Sequence, residues 1–164
     1  MHRQGKPTGK APRPRTSDKA GRRDPLRVSI RIDGGARGNP GPAAAGVVIT
    51  DSENTVLHEA GIFLGETTNN VAEYRALLAG MEAAEKLGAD EVQILSDAEL
   101  LVRQMTGEYR VKNETLQGLH AKALELQERF SRCKYRHVAR EDNKHADKLV
   151  NVAMNLKHNV DGLP

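Results

Sequence analysis

The sequence predicts a single α/β domain built on a mixed five-stranded sheet, three antiparallel strands followed by two parallel ones, flanked by helices. Three observations predict it. Leu26, Val28, Ile30 and Ile32 alternate with Arg27, Ser29, Arg31 and Asp33, the period of a strand. Two more strand-like runs follow with only short connections, as in an antiparallel meander. Beyond them, short apolar runs alternate with helical ones, an order that makes the later strands parallel neighbours and lays helices over the sheet.

The elements follow in order. After the first strand, Gly34 to Pro42 reads as a Gly/Pro loop. Ala44 to Thr50 and Thr55 to Leu64 read as strands around a turn at Asp51–Asn54. Thr68–Asn70 then opens a helix running to about Leu87 and stopped by Gly88. Glu91 to Leu95 is a short apolar strand, and Ala98 to Met105 a short helix closed by Gly107. Asn113 to Phe130 carries Leu116, Leu119, Ala123, Leu126 and Phe130 at helical spacing. Lys134 to Val138 is the last strand and Asp142 to Leu156 the last helix.

Composition narrows the class. The chain has 164 residues, 38% apolar and 29% charged, enough for one domain with a sizeable core. No apolar run is long enough to span a bilayer. Cys133 is the single cysteine, which excludes an internal disulfide, and no Cys/His cluster has zinc-ligand spacing. A reducing, cytoplasmic setting is the simple expectation. No apolar patch in the sequence demands a second copy, so a monomer is expected.

Charge is distributed unevenly. Residues 1–24 hold eight Lys/Arg and two Asp, a net +6, and the remaining 140 residues hold 17 basic and 20 acidic groups, a net −3. The first 25 residues contain no aromatic, Leu, Ile or Val. Such a stretch cannot bury enough apolar surface to offset its ordering entropy, and residues 1–24 are expected to be a disordered basic tail. A cationic arm suits a nucleic-acid backbone; a solubilising extension is the alternative. The folded domain is expected over 25–157, with 158–164 as a flexible end.

Four carboxylates fall where ordinary packing would not place them. Asp33 ends the first strand on the face opposite its apolar set, although Asp-Gly is also a turn dipeptide. Glu73 lies about 200° around its helix from Val71, opposite Arg75, Glu82, Glu85 and Lys86, and so points inward. A capping box, with Glu73 reaching back to Asn70, is the alternative there. Asp97 sits just past the carboxyl end of the fourth strand, where α/β sheets place ligands; with Ser96 and Glu99 it also fits a helix start. Asp147 borders the apolar stripe of the last helix, where a solvated surface Asp is the alternative. Acids gathered in one place repel unless cations neutralise them. An all-oxygen site suits Mg²⁺ or Mn²⁺, and two such ions clamp a phosphodiester undergoing hydrolysis.

The segments carrying these acids, IDGGARGNPGPAAAGVVI, TTNNVAEYRALLAGMEAA, ILSDAELLVRQ and REDNKHADKLVNVA, resemble the type 1 ribonuclease H family in sequence and in order. The resemblance implies a ribonuclease H-like fold and endonucleolytic hydrolysis of the RNA strand of RNA–DNA hybrids, leaving 3′-hydroxyl and 5′-phosphate ends. It implies that Asp33, Glu73, Asp97 and Asp147 bind two Mg²⁺ ions, Mn²⁺ being a substitute, with Asp33 bridging both. Glu73 and Asp97 would complete the shell of one ion and Asp147 that of the other. It implies substrate contacts at Gly38 and Asn39, which approach the minor groove where the 2′-hydroxyl marks RNA, and at Thr68, Asn69 and Asn70, which would hold the DNA strand.

The chain also departs from the family pattern. The connection from Val138 to Asn143 is too short for the long loop whose His many members carry. Arg140 is the nearest stand-in, ahead of His145 and Glu141, whereas His137 is expected to pack within the last strand. Only Thr106–Asn113 occupies the place of the family's basic protrusion, there is no Trp, and Glu99 stands where Gln is frequent. A non-catalytic hybrid-binding module and another polynucleotidyl transferase of the same fold are the alternative functions.

These gaps leave the basic arm as a source of non-specific affinity. Deleting residues 1–24 is expected to raise KM and flatten the salt dependence of hybrid cleavage while kcat stays nearly constant. An unchanged salt slope would reduce the arm to a solubiliser.

Overall fold

The computed structural model describes residues 24–163, so all of the basic arm except Asp24 lies outside the described residues. Strands β1 (Arg27–Ala36), β2 (Gly41–Asp51) and β3 (Val56–Thr67) form the expected meander. Helix α1 (Asn69–Lys86) leads to β4 (Glu91–Ser96), α2 (Glu99–Met105), α3 (Glu114–Gln127), β5 (Arg132–His137) and α4 (Lys144–Leu156). The sheet order is β3-β2-β1-β4-β5, with β1 antiparallel to β2 and parallel to β4, and β4 parallel to β5. The predicted five-stranded mixed sheet is thus present.

Alternation divides the sheet into two faces. Val28, Ile30 and Ile32 of β1 join Ala45, Val47 and Ile49 of β2 and the buried side of α1 in the main core, with Met105, Leu116 and Phe130 from the α2–α3 region. Ala44 and Val48 of β2 face the other way and pack on Ala146, Leu149, Val150, Ala153 and Met154 of α4. Helix α4 is polar on its outer side, which is why its apolar stripe was legible.

Several element boundaries differ from expectation; β3 runs on to Thr67 and α3 ends at Gln127, short of Phe130. The first two strands continue into the Gly34–Pro42 stretch that reads as a loop, pairing as far as Gly34↔Ala45, Gly35↔Ala44 and Ala36↔Ala43. Gly34 is a site of close approach rather than a turn: a Cβ there would stand 2.4 Å from the carbonyl carbon and oxygen of Ala72. Asp33 is consequently inside the strand and not at its end. The last helix begins at Lys144, after a short 3₁₀ turn over Arg140–Asp142. The segment after α4 returns to the sheet: Gly61 and Val160 donate backbone N–H groups to each other's carbonyls at 2.8 Å, and Asn159 Oδ1 accepts from the Phe63 N–H. Val160 also packs against α4, which tethers an end whose polar sequence suggested flexibility.

Gly34→Ala is expected to push α1 off the sheet, lowering stability by about 3 kcal/mol and Tm by roughly 10 °C. A denaturant melt of the variant checks this, and an unchanged midpoint would contradict the close approach.

Candidate active site

One open cleft of ≈ 540 Å³ at the carboxyl ends of β1 and β4 is lined by Asp33, Glu73, Asp97 and Asp147. Each acid arrives on a different element. Asp33 projects from β1 toward the α4 side, and the next residue, Gly34, lets the first turns of α1 close against the opposite face. Glu73 is carried there by α1. Thr68 caps that helix, its Oγ1 accepting from the Val71 N–H at 3.3 Å. Glu73 accepts from Asn69 Nδ2 at 3.1 Å, so its carboxylate turns into the cleft rather than back along the backbone.

Asp97 follows Ser96, whose Oγ accepts the Ala98 N–H at 3.0 Å and bends the chain at the strand end. Glu99 takes no part in capping; it accepts from Arg103 at 2.9 Å. Asp147 occupies the first turn of α4. Its N–H donates to the carbonyl of Asn143 at 3.1 Å, and Asn143 Nδ2 donates to the carbonyl of Ile32 at 2.8 Å. Asn143 therefore ties the start of α4 to the residue next to Asp33. It is 1% exposed, and its Oδ1 has no protein partner.

The acids disturb one another. Burial, followed by the charge of Asp97 and a hydrogen bond and charge from Asp147, pushes the Asp33 carboxyl up to about 8 from an ordinary 3.8. Burial and the charge of Asp97 push Glu73 up to about 7 from 4.5, against the opposing pull of Asn69. All four acids thus belong to one electrostatic group.

Among the described residues, cations reach the cleft only at its rim. Arg140 Nε stands 4.0 Å from Asp97 Oδ2 with a side chain 84% exposed. Arg37 also lines the cleft. His137, expected to pack within β5, is instead the exposed last residue of that strand and lines the cleft too, because the strand ends at the rim rather than under a helix. His145 is excluded as a stand-in: its Nε2 lies 2.9 Å from the buried Glu59 carboxylate on the far side of α4. Glu141 is exposed on the 3₁₀ turn.

Of the anticipated substrate residues, Asn69 lines the cleft. Asn39 stands beside it, its Oδ1 accepting the Asn69 N–H at 3.0 Å, which leaves its amide N–H groups free. Gly38 is exposed with φ 98°, a conformation that favours glycine, and Asn70 is exposed in the first turn of α1. Thr68 acts as the helix cap. Sequence reasoning missed Asn143, Arg37 and Asn151; spacing offered one signal, since Asn143 and Asn151 lie four residues either side of Asp147 on the same helical face.

The donor set fits a hard divalent cation: four carboxylates, no thiolate, and mutual repulsion that only positive charge would relieve. Among the described residues no three acids already form a closed ion cage. Binding would therefore have to draw the carboxylates together.

Residues 31–153 match the model of the family described as reverse transcriptase-like. Among solved structures, the amino-terminal ribonuclease H domain of a Mycobacterium tuberculosis protein is 46% identical, with TM-score 0.78 over 80% of this chain and 95% of that one. Ribonuclease H1 of Halobacterium salinarum is 39% identical, with TM-score 0.77 over 79% and 98%. LC11 ribonuclease H1, solved in complex with an RNA/DNA hybrid, is 46% identical, with TM-score 0.76 over 79% and 98%. The chain spans 36% of the length of the first curated relatives it matches, mycobacterial proteins 48% identical over 130 residues. Sequence, fold and family model agree: the chain belongs to the reverse transcriptase-like family and, within it, to the type 1 ribonucleases H.

Proposed function

We propose that the chain is a metal-dependent endonuclease that hydrolyses the RNA strand of RNA–DNA hybrids, leaving 5′-phosphate and 3′-hydroxyl ends. The convergence of Asp33, Glu73, Asp97 and Asp147 on one cleft, with Asp33 and Glu73 both pushed upward by burial and neighbouring acids, carries this reading. The solved hybrid complex of LC11 ribonuclease H1 supports the choice of substrate.

Asp33 would serve both of two Mg²⁺ or Mn²⁺ ions, with Glu73 and Asp97 completing one site and Asp147 the other. Bound there, the pair would supply an activated water for attack and positive charge for the leaving oxygen. The chain's own residues hold that geometry. Asn143 sets Asp147 against β1, and Asn69 orients Glu73. Asn39, stitched to the start of α1, presents its amide N–H groups toward the minor groove, where a 2′-hydroxyl can accept. Gly38, Thr68, Asn69 and Asn70 would line the track of the two backbones. Arg140, beside Asp97 yet exposed, would meet the cut phosphate and help it leave.

A labelled hybrid incubated with the protein tests the reading. Cleavage is expected with Mg²⁺, none with EDTA, and a loss of about three orders of magnitude in Asp33→Asn. A hybrid bound and never cut would point to a binding module instead.

The metal-free protein has a second signature. The folded Asp33 and Glu73 carboxyls keep protons that the unfolded chain releases above its ordinary values of 3.8 and 4.5. These two groups therefore cost no stability below about pH 4 and lower it progressively as pH rises toward 7–8. In EDTA, Tm is expected to fall by several degrees between pH 5 and 8, and Mg²⁺ to raise Tm more at pH 8 than at pH 5. Asp33→Asn should remove much of that slope; a flat profile for both forms would contradict the crowding.

A further inference from the structure

Among the described residues, two arginines line the cleft, Arg37 and Arg140, and Arg37 comes from the segment between β1 and the Gly38–Gly41 turn. Its side chain meets a neutral partner: Nη2 donates to Asn151 Oδ1 at 3.4 Å. The Asn151 amide is oriented from its other end, where Nδ2 donates to the Asp147 carbonyl at 3.0 Å and lies 3.5 Å from Asp147 Oδ2. With Nδ2 committed to Asp147, only the carbonyl oxygen is left for a donor, which places the guanidinium at the rim.

The contrast is with the arginines that stand against acids; Arg31, Arg75, Arg110, Arg132 and Arg136 also lack a carboxylate within ion-pair distance among the described residues, but none of them lines the cleft. Arg27 pairs with Glu91, Arg103 with Glu99 and Glu108, Arg129 with Glu85, and Arg140 stands near Asp97. Among the described residues Arg37 has no carboxylate partner within ion-pair distance, although it shares a cleft with four acids. A guanidinium held by an amide keeps its whole charge and most of its donors for an incoming anion. The planar fork suits a phosphate, which it can grip through two N–H groups.

Resting on the ribonuclease H reading above, we propose that Arg37, oriented by Asn151, is a substrate-positioning residue that grips a backbone phosphate of the strand lying in the cleft. The contact would lie where the chain leaves β1, whereas Arg140 stands beside Asp97 just past β4. It reads charge and not sequence. The Asn151 amide links this contact to the backbone of Asp147, so the phosphate grip and the acid share one support.

Hybrid binding measured across 50–200 mM salt in the Asp33→Asn background, where the hybrid persists, tests the proposal, alongside kcat and KM in the parent background. Arg37→Ala is expected to weaken binding and raise KM about tenfold, reduce the salt slope by about one, and change kcat less than KM. Arg37→Lys should restore the slope but only part of the affinity, because a point charge replaces the fork. Arg75→Ala, which removes the same charge from the exposed outer side of α1, serves as the control. Equal affinities and slopes for Arg37→Ala and Arg75→Ala, with the parent cutting hybrid normally, would overturn the proposal and leave the ribonuclease reading standing. Failure of the parent to cut hybrid would overturn both.

Discussion

Two helices must reach the same strand from opposite faces, and backbone contact is what allows it. Asp33 and Gly34 are consecutive in β1, so their side-chain positions face opposite sides of the sheet. At Gly34 the missing Cβ lets α1 approach until its backbone fills the space. On the other face the same device recurs: a Cβ on Gly46 of β2 would stand 2.3 Å from the Ala146 carbonyl, and one on Gly61 of β3 2.5 Å from that of Leu149. Helix α4 is thereby pulled flat onto β2 and β3, with Asp147 brought level with Asp33. Larger residues would hold both helices away from the sheet and separate the acids by several ångströms. The site is a consequence of how closely the layers pack.

That packing creates an electrostatic burden. Burial and neighbouring carboxylates raise the proton affinity of Asp33 and Glu73 in this half-buried cleft, and the metal-free fold tolerates the crowding by retaining protons there. The supports around them are neutral amides. Asn69 holds Glu73, Asn143 holds the start of α4, Asn151 holds Arg37 beside Asp147, and Asn39 holds the start of α1. A lysine in place of Asn69 could still donate to Glu73, but it would also neutralise that acid and lower its appetite for a cation. Amide donors fix geometry and leave the charge in place. This preference explains why a cleft with so many polar contacts stays strongly negative.

Much of this was legible from residue order. Alternation in Leu26–Ile32, the stripe of α4 and the punctuation at Gly88 and Gly107 are local signals, and the elements they predict are present. The acids were legible because each interrupts a pattern, as Glu73 does on the inner side of α1. The overlooked features depend on distant neighbours. Gly34 reads as a turn residue unless one knows that Ala72 lies against it. Asn143 falls inside the run that reads as the last helix, yet its side chain reaches across to Ile32, 111 residues away in sequence. His137 reads as a strand residue with a packed side chain, and only the sheet's end at the cleft leaves it exposed. Arg37 sits in a loop-like motif, and its significance comes from Asn151 on another element.

The support given to the acids differs from that given to Arg140 and His137, and the difference fits the proposed turnover. Helix α4 is anchored in its first turn by Asn143 and by His145 on the buried Glu59, and beyond its last turn by Val160 on Gly61. Asp147 is thus fixed by contacts on both sides of the sheet's edge. Arg140 and His137 have no comparable anchorage: both are exposed, and Arg140 touches the cluster only at 4.0 Å. On the proposed function, the acids that would hold charge through the reaction sit on braced elements, whereas Arg140, which would meet the cut phosphate, sits where its side chain can swing. An arginine buried as deeply as Asp33 would hold the cut phosphate as firmly as the uncut one. The exposure of Arg140 would limit the strength of such a contact and let water replace it once the strand is broken.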